Sequence, residues 1–128
     1  MPQVADVMRT EFITVAPEDT LGEVAEKMTA LNVGSVVVKD FSTLIGILTE
    51  RDLLKAMAAR VHSSEARVRQ FMTENPITAS PEMDCEEAEQ LMLDKGFRHL
   101  PIMDGSEVVG VVSLRRVVAA TKAATAKH

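Results

Sequence analysis

The sequence predicts an α/β (α+β) fold: two pseudo-symmetric β-α-β-β-α repeats packed as one module. Three observations predict it. The chain is written twice, each copy alternates short apolar runs with helical patterns in one order, and each copy alone is too small to cover both faces of its sheet. A shift of 64 positions (Met8 onto Met72, 72 − 8 = 64) aligns the chain with itself without a gap. It pairs Ile13-Thr14 with Ile77-Thr78, Pro17-Glu18 with Pro81-Glu82, Glu23 with Glu87, Met28 with Met92, Asp40 with Asp104, Gly46 with Gly110 and Arg51 with Arg115.

Each copy opens with a brief extended piece, Ile13-Thr14-Val15 or Ile77-Thr78-Ala79, which a proline soon halts. A helix start follows, where Thr20 with Glu23 and Asp84 with Glu87 have capping-box spacing. Leu21, Val24, Ala25, Met28 and Leu31 share one helical face, as do Cys85, Ala88, Leu91 and Met92. Asn32 and Gly96 stand at the matching stops, and both residue types tolerate the left-handed conformation that ends helices. Ser35 to Val38 and His99 to Ile102 read as the first strand of a pair, Leu44 to Leu48 and Val108 to Val112 as the second. The turns between them are Asp40-Phe41-Ser42 and Asp104-Gly105-Ser106. Thr49 and Ser113 are good N-caps for a last helix, which carries Leu53, Leu54 and Met57 in one copy and Val117 and Val118 in the other. These readings place repeat 1 at 4–62 and repeat 2 at 68–120. Residues 60–67 form a linker or a helix extension, and 121–128 a frayed, flexible tail.

Composition narrows the function classes. Hydrophobic residues make up 46% of the 128 positions and charged residues 26%, which fits a globular chain with a real core. No apolar run approaches the roughly 20 residues of a membrane helix, and the first residues lack a basic patch followed by an apolar stretch. A cytoplasmic location with no membrane partner is expected. Cys85 is the only cysteine, which rules out an intramolecular disulfide and a cysteine-rich zinc site. A net charge of −5, four Phe and no Trp or Tyr argue against a nucleic-acid binder, although Arg60, His62, Arg67 and Arg69 form a local basic cluster.

The repeat resembles the cystathionine-β-synthase (CBS) domain family. The resemblance is carried by Gly46-Ile47-Leu48-Thr49-Glu50-Arg51-Asp52 and by Phe97-Arg98-His99-Leu100-Pro101-Ile102, and it covers nearly the whole chain. It implies a paired-domain regulatory module that binds an adenosine nucleotide of the AMP, ADP or ATP class in a cleft between the repeats, and that forms a homodimer. The chemistry of the residues agrees. A ribose offers two neighbouring hydroxyls, and one ionised carboxylate can accept from both. The family's Thr-x-x-Asp ribose grip falls on Thr49 and Asp52. The same pair also reads as a helix cap, with Asp52 suited to the positive end of the helix dipole. The resemblance walls the base with Ile47, Ile77 and Phe97, each of which also reads as core. It offers Arg51, Arg98 and His99 as phosphate ligands, for which the alternatives are a solvated charge at Arg98 and a satisfied strand histidine at His99.

Copy two departs from the pattern. Ser113-Leu114-Arg115-Arg116 puts Arg116 where the ribose carboxylate belongs, and a guanidinium has no acceptor. One nucleoside site per chain is therefore expected, with the second position empty, phosphate-biased or devoted to something else. No G-x-S-x-G, H-E-x-x-H or P-loop pattern is present, and Asp52 and His99 have no nucleophile or metal set beside them. The chain is read as a non-enzyme with no cofactor and no metal. The rival reading is a structural, protein-interacting dimerisation module without physiological nucleotide binding, and the regulated protein is not named by the sequence.

Overall fold

In the computed structural model, residues 1–126 are described, and they divide into two compact units. One unit is Phe12–Pro76; the other joins Met1–Glu11 to the chain from Ile77 onward. The first contains β1 (Thr14–Val15), α1 (Leu21–Leu31), β2 (Ser35–Asp40), β3 (Thr43–Thr49), α2 (Glu50–Ala58), α3 (Val68–Phe71) and β4 (Thr73–Glu74). Its sheet runs β1-β2-β3-β4, with β1 parallel to β2 and the other neighbours antiparallel. The second holds a 3-10 turn at Val4–Asp6, then α4 (Cys85–Lys95), β5 (His99–Asp104), β6 (Glu107–Ser113) and α5 (Leu114–Ala126). β5 and β6 pair antiparallel.

The compact unit is thus offset from the repeat as written. The segment that opens each repeat packs on the unit formed by the other. Residues 63–76 close the first unit: Ala66 and Ser63 carbonyls accept from the Leu21 and Gly22 amides at 2.9 Å each, and Val68 N–H donates to the Asp19 carbonyl. Residues 1–11 do the same in the second unit, where the Pro2 carbonyl accepts from Cys85 N–H at 2.8 Å and Val4 N–H donates to the Met83 carbonyl. These carbonyls satisfy amides that the start of a helix leaves without intrahelical partners. The expected capping boxes are correspondingly reduced. Thr20 Oγ1 accepts from Glu23 N–H at 3.2 Å and donates to the Glu23 carboxylate, whereas Asp84 makes no side-chain cap.

Each unit has its own core. Val24, Met28, Val36, Val38, Leu48 and Val68 pack together in the first; Val4, Met92, Leu100, Ile102, Val112 and Val117 do so in the second. Burying each large side chain contributes about 1.5–3 kcal/mol. The alternation of β2 and β5 sets these faces, since Val36 and Val38 sit opposite Leu48 and Gly46, and Leu100 and Ile102 opposite Val112 and Gly110. Gly46 and Gly110 admit the two packing segments. A Cβ on Gly46 would lie 2.7 Å from Met72 Sδ and 3.0 Å from the Thr73 carbonyl; on Gly110 it would lie 2.6 Å from Met8 Sδ and 3.0 Å from the Arg9 carbonyl.

Asn32 (φ 57°) and Gly96 (φ 77°) end α1 and α4 in the left-handed conformation the sequence predicts. The two hairpins share a two-residue turn and a register shift after Val38 and after Ile102. The left-handed turn position is Gly105 in one and Phe41, with φ 57° and a 98% exposed side chain, in the other.

Three expectations differ in detail. Ile77-Thr78-Ala79 is reduced from a strand to a single parallel bridge between Ala79 and Ile102. The reason is Pro101. In the first unit Val37 N–H donates to the Ile13 carbonyl at 3.0 Å; Pro101 stands at the matching place and has no N–H. On α2, Leu54 and Met57 are exposed and Leu53 half-buried, so Ala56 and Asp52 form its buried side. The stretch expected to fray from 121 continues α5 as far as Ala126, helped by its alanines, and Thr121 Oγ1 donates to Glu89 at 2.7 Å. Residues 127–128 of that tail lie outside the described residues.

Candidate functional site

The residues of greatest chemical interest sit where a hairpin's second strand runs into a helix. In the first unit Ser35 and Thr49 are cross-strand partners at the end of β2 and β3, and Glu50 N–H donates to the Gly34 carbonyl at 3.0 Å. The helix α2 starts there because Thr49 and Asp52 form a full capping box. Thr49 N–H and Oγ1–H both donate to Asp52 Oδ2, at 2.8 and 3.1 Å, while Asp52 N–H donates to Thr49 Oγ1 at 3.4 Å. The capping role is therefore real. It uses only one carboxylate oxygen: Oδ1 takes no hydrogen bond from the described residues and remains in contact with solvent. Asp52 is 9% exposed, which is unusual for an acid in a first helical turn, where solvent is normally at hand. Ser35 joins it as the other buried polar side chain. In the sequence Ser35 reads only as the start of a strand, and its pairing with Thr49 follows from the strand register.

Arg51 is exposed beside Asp52, and Ile47 is buried in β3 on the face opposite Leu48. The other predicted residues belong to the second unit. Ile77 is 41% exposed, which overrides its reading as ordinary core. Phe97 is half-buried and packs on that unit's core. Arg98 is exposed and His99 half-buried at the first position of β5, opposite Ser113. Of the backbone groups at these two positions, Phe97 N–H donates to the Met92 carbonyl and the Arg98 carbonyl accepts from Leu114 N–H. The Phe97 carbonyl and the Arg98 amide take no part in these bonds.

The basic cluster of the linker is in part neutralised. Arg69 Nε meets Glu18 Oε1 at 2.7 Å, a hydrogen bond that raises the guanidinium pKa above its ordinary value, and Arg67 donates to the Glu18 carbonyl. Among the described residues no group of three His, Cys, Asp or Glu side chains is placed to hold a metal, and no helix is long and apolar enough to cross a membrane. Cys85 is fully buried at the start of α4, where desolvation, then Asp6 and Asp84, push its thiol pKa up. That excludes it as a ready nucleophile.

Two units of one design, each presenting a hydroxyl N-cap at a strand-to-helix corner, define a tandem-repeat α+β module with a polar site in one copy. Its sequence places it further. The profile of the CBS domain matches residues 4–59 and again 68–123, and the chain belongs to the CBS domain family. It is 36% identical over 114 residues to the CBS domain-containing protein YhcV of Bacillus subtilis, covering 89% of this chain and 81% of that one. A relative from Methanopyrus kandleri is 38% identical over 118 residues, of which this chain spans 60%. Among solved structures, the CBS-domain containing protein ATU1752 of Agrobacterium tumefaciens superposes with a TM-score of 0.86 at 31% identity, covering 94% and 99% of the two chains. The fold is also that of the CBS domain pair of protein MJ0100 in complex with 5-methylthioadenosine and S-adenosyl-L-methionine (TM-score 0.87, 23% identity, 97% and 98% covered). It is shared as well by CBSX2 in complex with AMP (TM-score 0.77, 24% identity, 98% and 99% covered).

Proposed function

We propose that this chain is a regulatory ligand-sensing module rather than a catalyst, and that it binds an adenosine-containing nucleotide of the AMP, ADP or ATP class through Thr49 and Asp52. The observation that carries the reading is the largely buried Asp52 side chain, whose Oδ1 takes no hydrogen bond from the described residues and keeps contact with solvent, open to a ligand. A ribose diol supplies two donors to such a group, and the two lone pairs of Oδ1 suffice for both without dismantling the cap on Oδ2. Ile47, Ile77 and Phe97 are the apolar side chains proposed for the base; Arg51, Arg98 and His99 are proposed for phosphate. Adenosine ligands on two proteins of this fold support the choice of ligand class. Binding is read out as a conformational or oligomeric change, passed to a regulated protein in the cytoplasm.

A second reading has its own support. The capping box gives Asp52 a role without any ligand, and Leu54 and Met57 on α2, with Val61 beyond its end, are exposed apolar side chains. A homodimer built on such helix faces is proposed under either reading, and the second makes dimerisation the whole function. Asp52→Asn separates them. Asparagine keeps an acceptor for the Thr49 amide and so keeps the cap, but it removes the charge from the diol contact. Hydrogen bonds to charged groups contribute about 1.5–3 kcal/mol, so AMP affinity falls about ten- to a hundredfold with little change in melting temperature, and the wild type discriminates against 2′-deoxy-AMP. Equal Kd values for both proteins with both ligands would establish the dimerisation reading instead.

A further inference from the structure

Each unit is clamped at the same place by the same side chain. Met8 and Met72 are 64 positions apart and equivalent in the repeat, as are Gly110 and Gly46, against which they lie. Their sulfurs stand 2.6 and 2.7 Å from where a Cβ on the glycine would be, so each thioether fills the space a side chain there would need. Both glycines are buried and both methionines half-buried. The sulfur thus sits at the edge of a core, packed on the glycine yet within reach of a small solute. Each methionine also precedes the residue by which its segment joins the sheet. In the second unit Arg9 N–H donates to the Val111 carbonyl at 2.8 Å, and Val111 N–H donates to the Arg9 carbonyl at 3.0 Å. In the first, Thr73 pairs with Ile47, and Asn75 N–H donates to the Ile45 carbonyl at 3.1 Å. Met28 and Met92, by contrast, are buried in the two cores, and Met1 and Met57 are largely exposed.

We propose that Met8 and Met72 are oxidative modification sites, and that conversion to the sulfoxide by hydrogen peroxide releases the segment each one clamps. The sulfur attacks one peroxide oxygen, the O–O bond breaks and hydroxide leaves. The proton of the sulfur-bound hydroxyl passes to that hydroxide, giving sulfoxide and water. Sulfur loses the electron pair that the peroxide gains. The product is polar and chiral where the thioether was flexible and apolar. An acceptor pressed on packed apolar surface lacks a partner until the side chain swings out into water, and the strand pairing beside it then loses its clamp. A methionine sulfoxide reductase returns the thioether and water, with a dithiol oxidised to a disulfide, so the change is reversible. The sites use neither Thr49 nor Asp52, so the inference is independent of the nucleotide reading.

The test is amide hydrogen exchange by NMR before and after brief treatment with hydrogen peroxide, with peptide mapping by mass spectrometry to place each added oxygen. Oxidised wild type is expected to exchange faster by about tenfold or more at Arg9, Val111 and Asn75, with the amides of α1 and α4 unchanged. Met8→Leu, close in volume, abolishes the response at Arg9 and Val111 and keeps it at Asn75; Met72→Leu does the reverse. Met1, Met57, Met83 and Met103 stay oxidisable in both variants and serve as internal controls. Before oxidation each variant exchanges as the wild type does, which verifies its fold. Treatment with the reductase and dithiothreitol restores slow exchange. Sulfoxides at 8 and 72 with unchanged exchange would overturn the proposal, as would the absence of sulfoxide at both positions in the folded chain. Both are read on the wild type and decide the matter whatever the stability of the variants. A response that survives in the leucine variants, or fast exchange that persists after the sulfoxides are reduced, would overturn it equally.

Discussion

The two strand-to-helix corners share a backbone and differ in chemistry. Thr49-Glu50-Arg51-Asp52 carries two acids and one base; Ser113-Leu114-Arg115-Arg116 carries two bases and no acid. Both keep a hydroxyl at the N-cap, the amide-to-carbonyl bond back to the preceding strand, and a glycine three residues before that hydroxyl, against which a methionine packs. At these positions, fixed by packing and backbone hydrogen bonding, the copies agree. They part at Asp52, a buried acid that accepts the Thr49 amide, and Arg116, an exposed base with no acceptor.

The strongest challenge to this account is to disturb positions said to be equivalent. Leu48→Ala and Leu100→Ala each empty a fully buried core position, one per unit, and each is expected to cost about 2–5 kcal/mol in denaturant unfolding. A negligible loss from either would show that its unit lacks a tightly packed core. Gly46→Val and Gly110→Val come next, at about 1–3 kcal/mol each for overpacking. The limiting contacts are the Thr73 and Arg9 carbonyls, backbone atoms that cannot swing aside as the methionine side chains can. If one substitution were free and the other costly, the two packing segments would not be equivalent.

Pro101→Val tests the explanation for a difference. It restores the N–H that Val37 uses in the first unit and should turn the Ala79 bridge into a two-residue strand, adding about 0.5–1.5 kcal/mol. Protection of the newly created amide at position 101 is the readout, and rapid exchange there would discard proline as the cause. The smallest effect concerns Cys85. Its thiol pKa is raised in the folded state, so the folded chain holds that proton more tightly than the unfolded chain. Stability is unaffected below the ordinary thiol range and falls as pH rises through it. Labelling by a thiol reagent is expected to be slow in buffer and fast in denaturant.

Much of this was legible beforehand because the sequence repeats. Periodicity located the long helices, Asn32 and Gly96 located the ends of α1 and α4, and Thr49 was legible as an N-cap, though not that Asp52 completes a capping box with it. The exchange of opening segments was not legible, since it depends on long-range pairing of Pro2 with Cys85 and Ala66 with Leu21, which no local pattern encodes. The missing side-chain cap at Asp84 was not legible either, since the first unit makes the matching bond from Leu21 N–H to the Ala66 carbonyl and keeps the Thr20 cap. Nor did apolar composition say which side of α2 is buried, and Leu54 and Met57 are exposed. Amphipathic spacing shows that a helix has two faces, but a nine-residue helix with Asp52 on its buried side defeats the usual choice between them.

The central claim is that the chain holds one ribose-gripping corner and that its twin lost the capacity through Arg116. Calorimetric titration with adenosine, which has no phosphate to engage the arginines, tests it most directly. The account predicts one adenosine per chain for wild type, none detectable for Asp52→Asn at the same concentrations, and an increase toward two for Arg116→Asp, which returns an acid to the place opposite Ser113 Oγ. Two equivalent sites in the wild type, or one site that persists undiminished in Asp52→Asn, would contradict it.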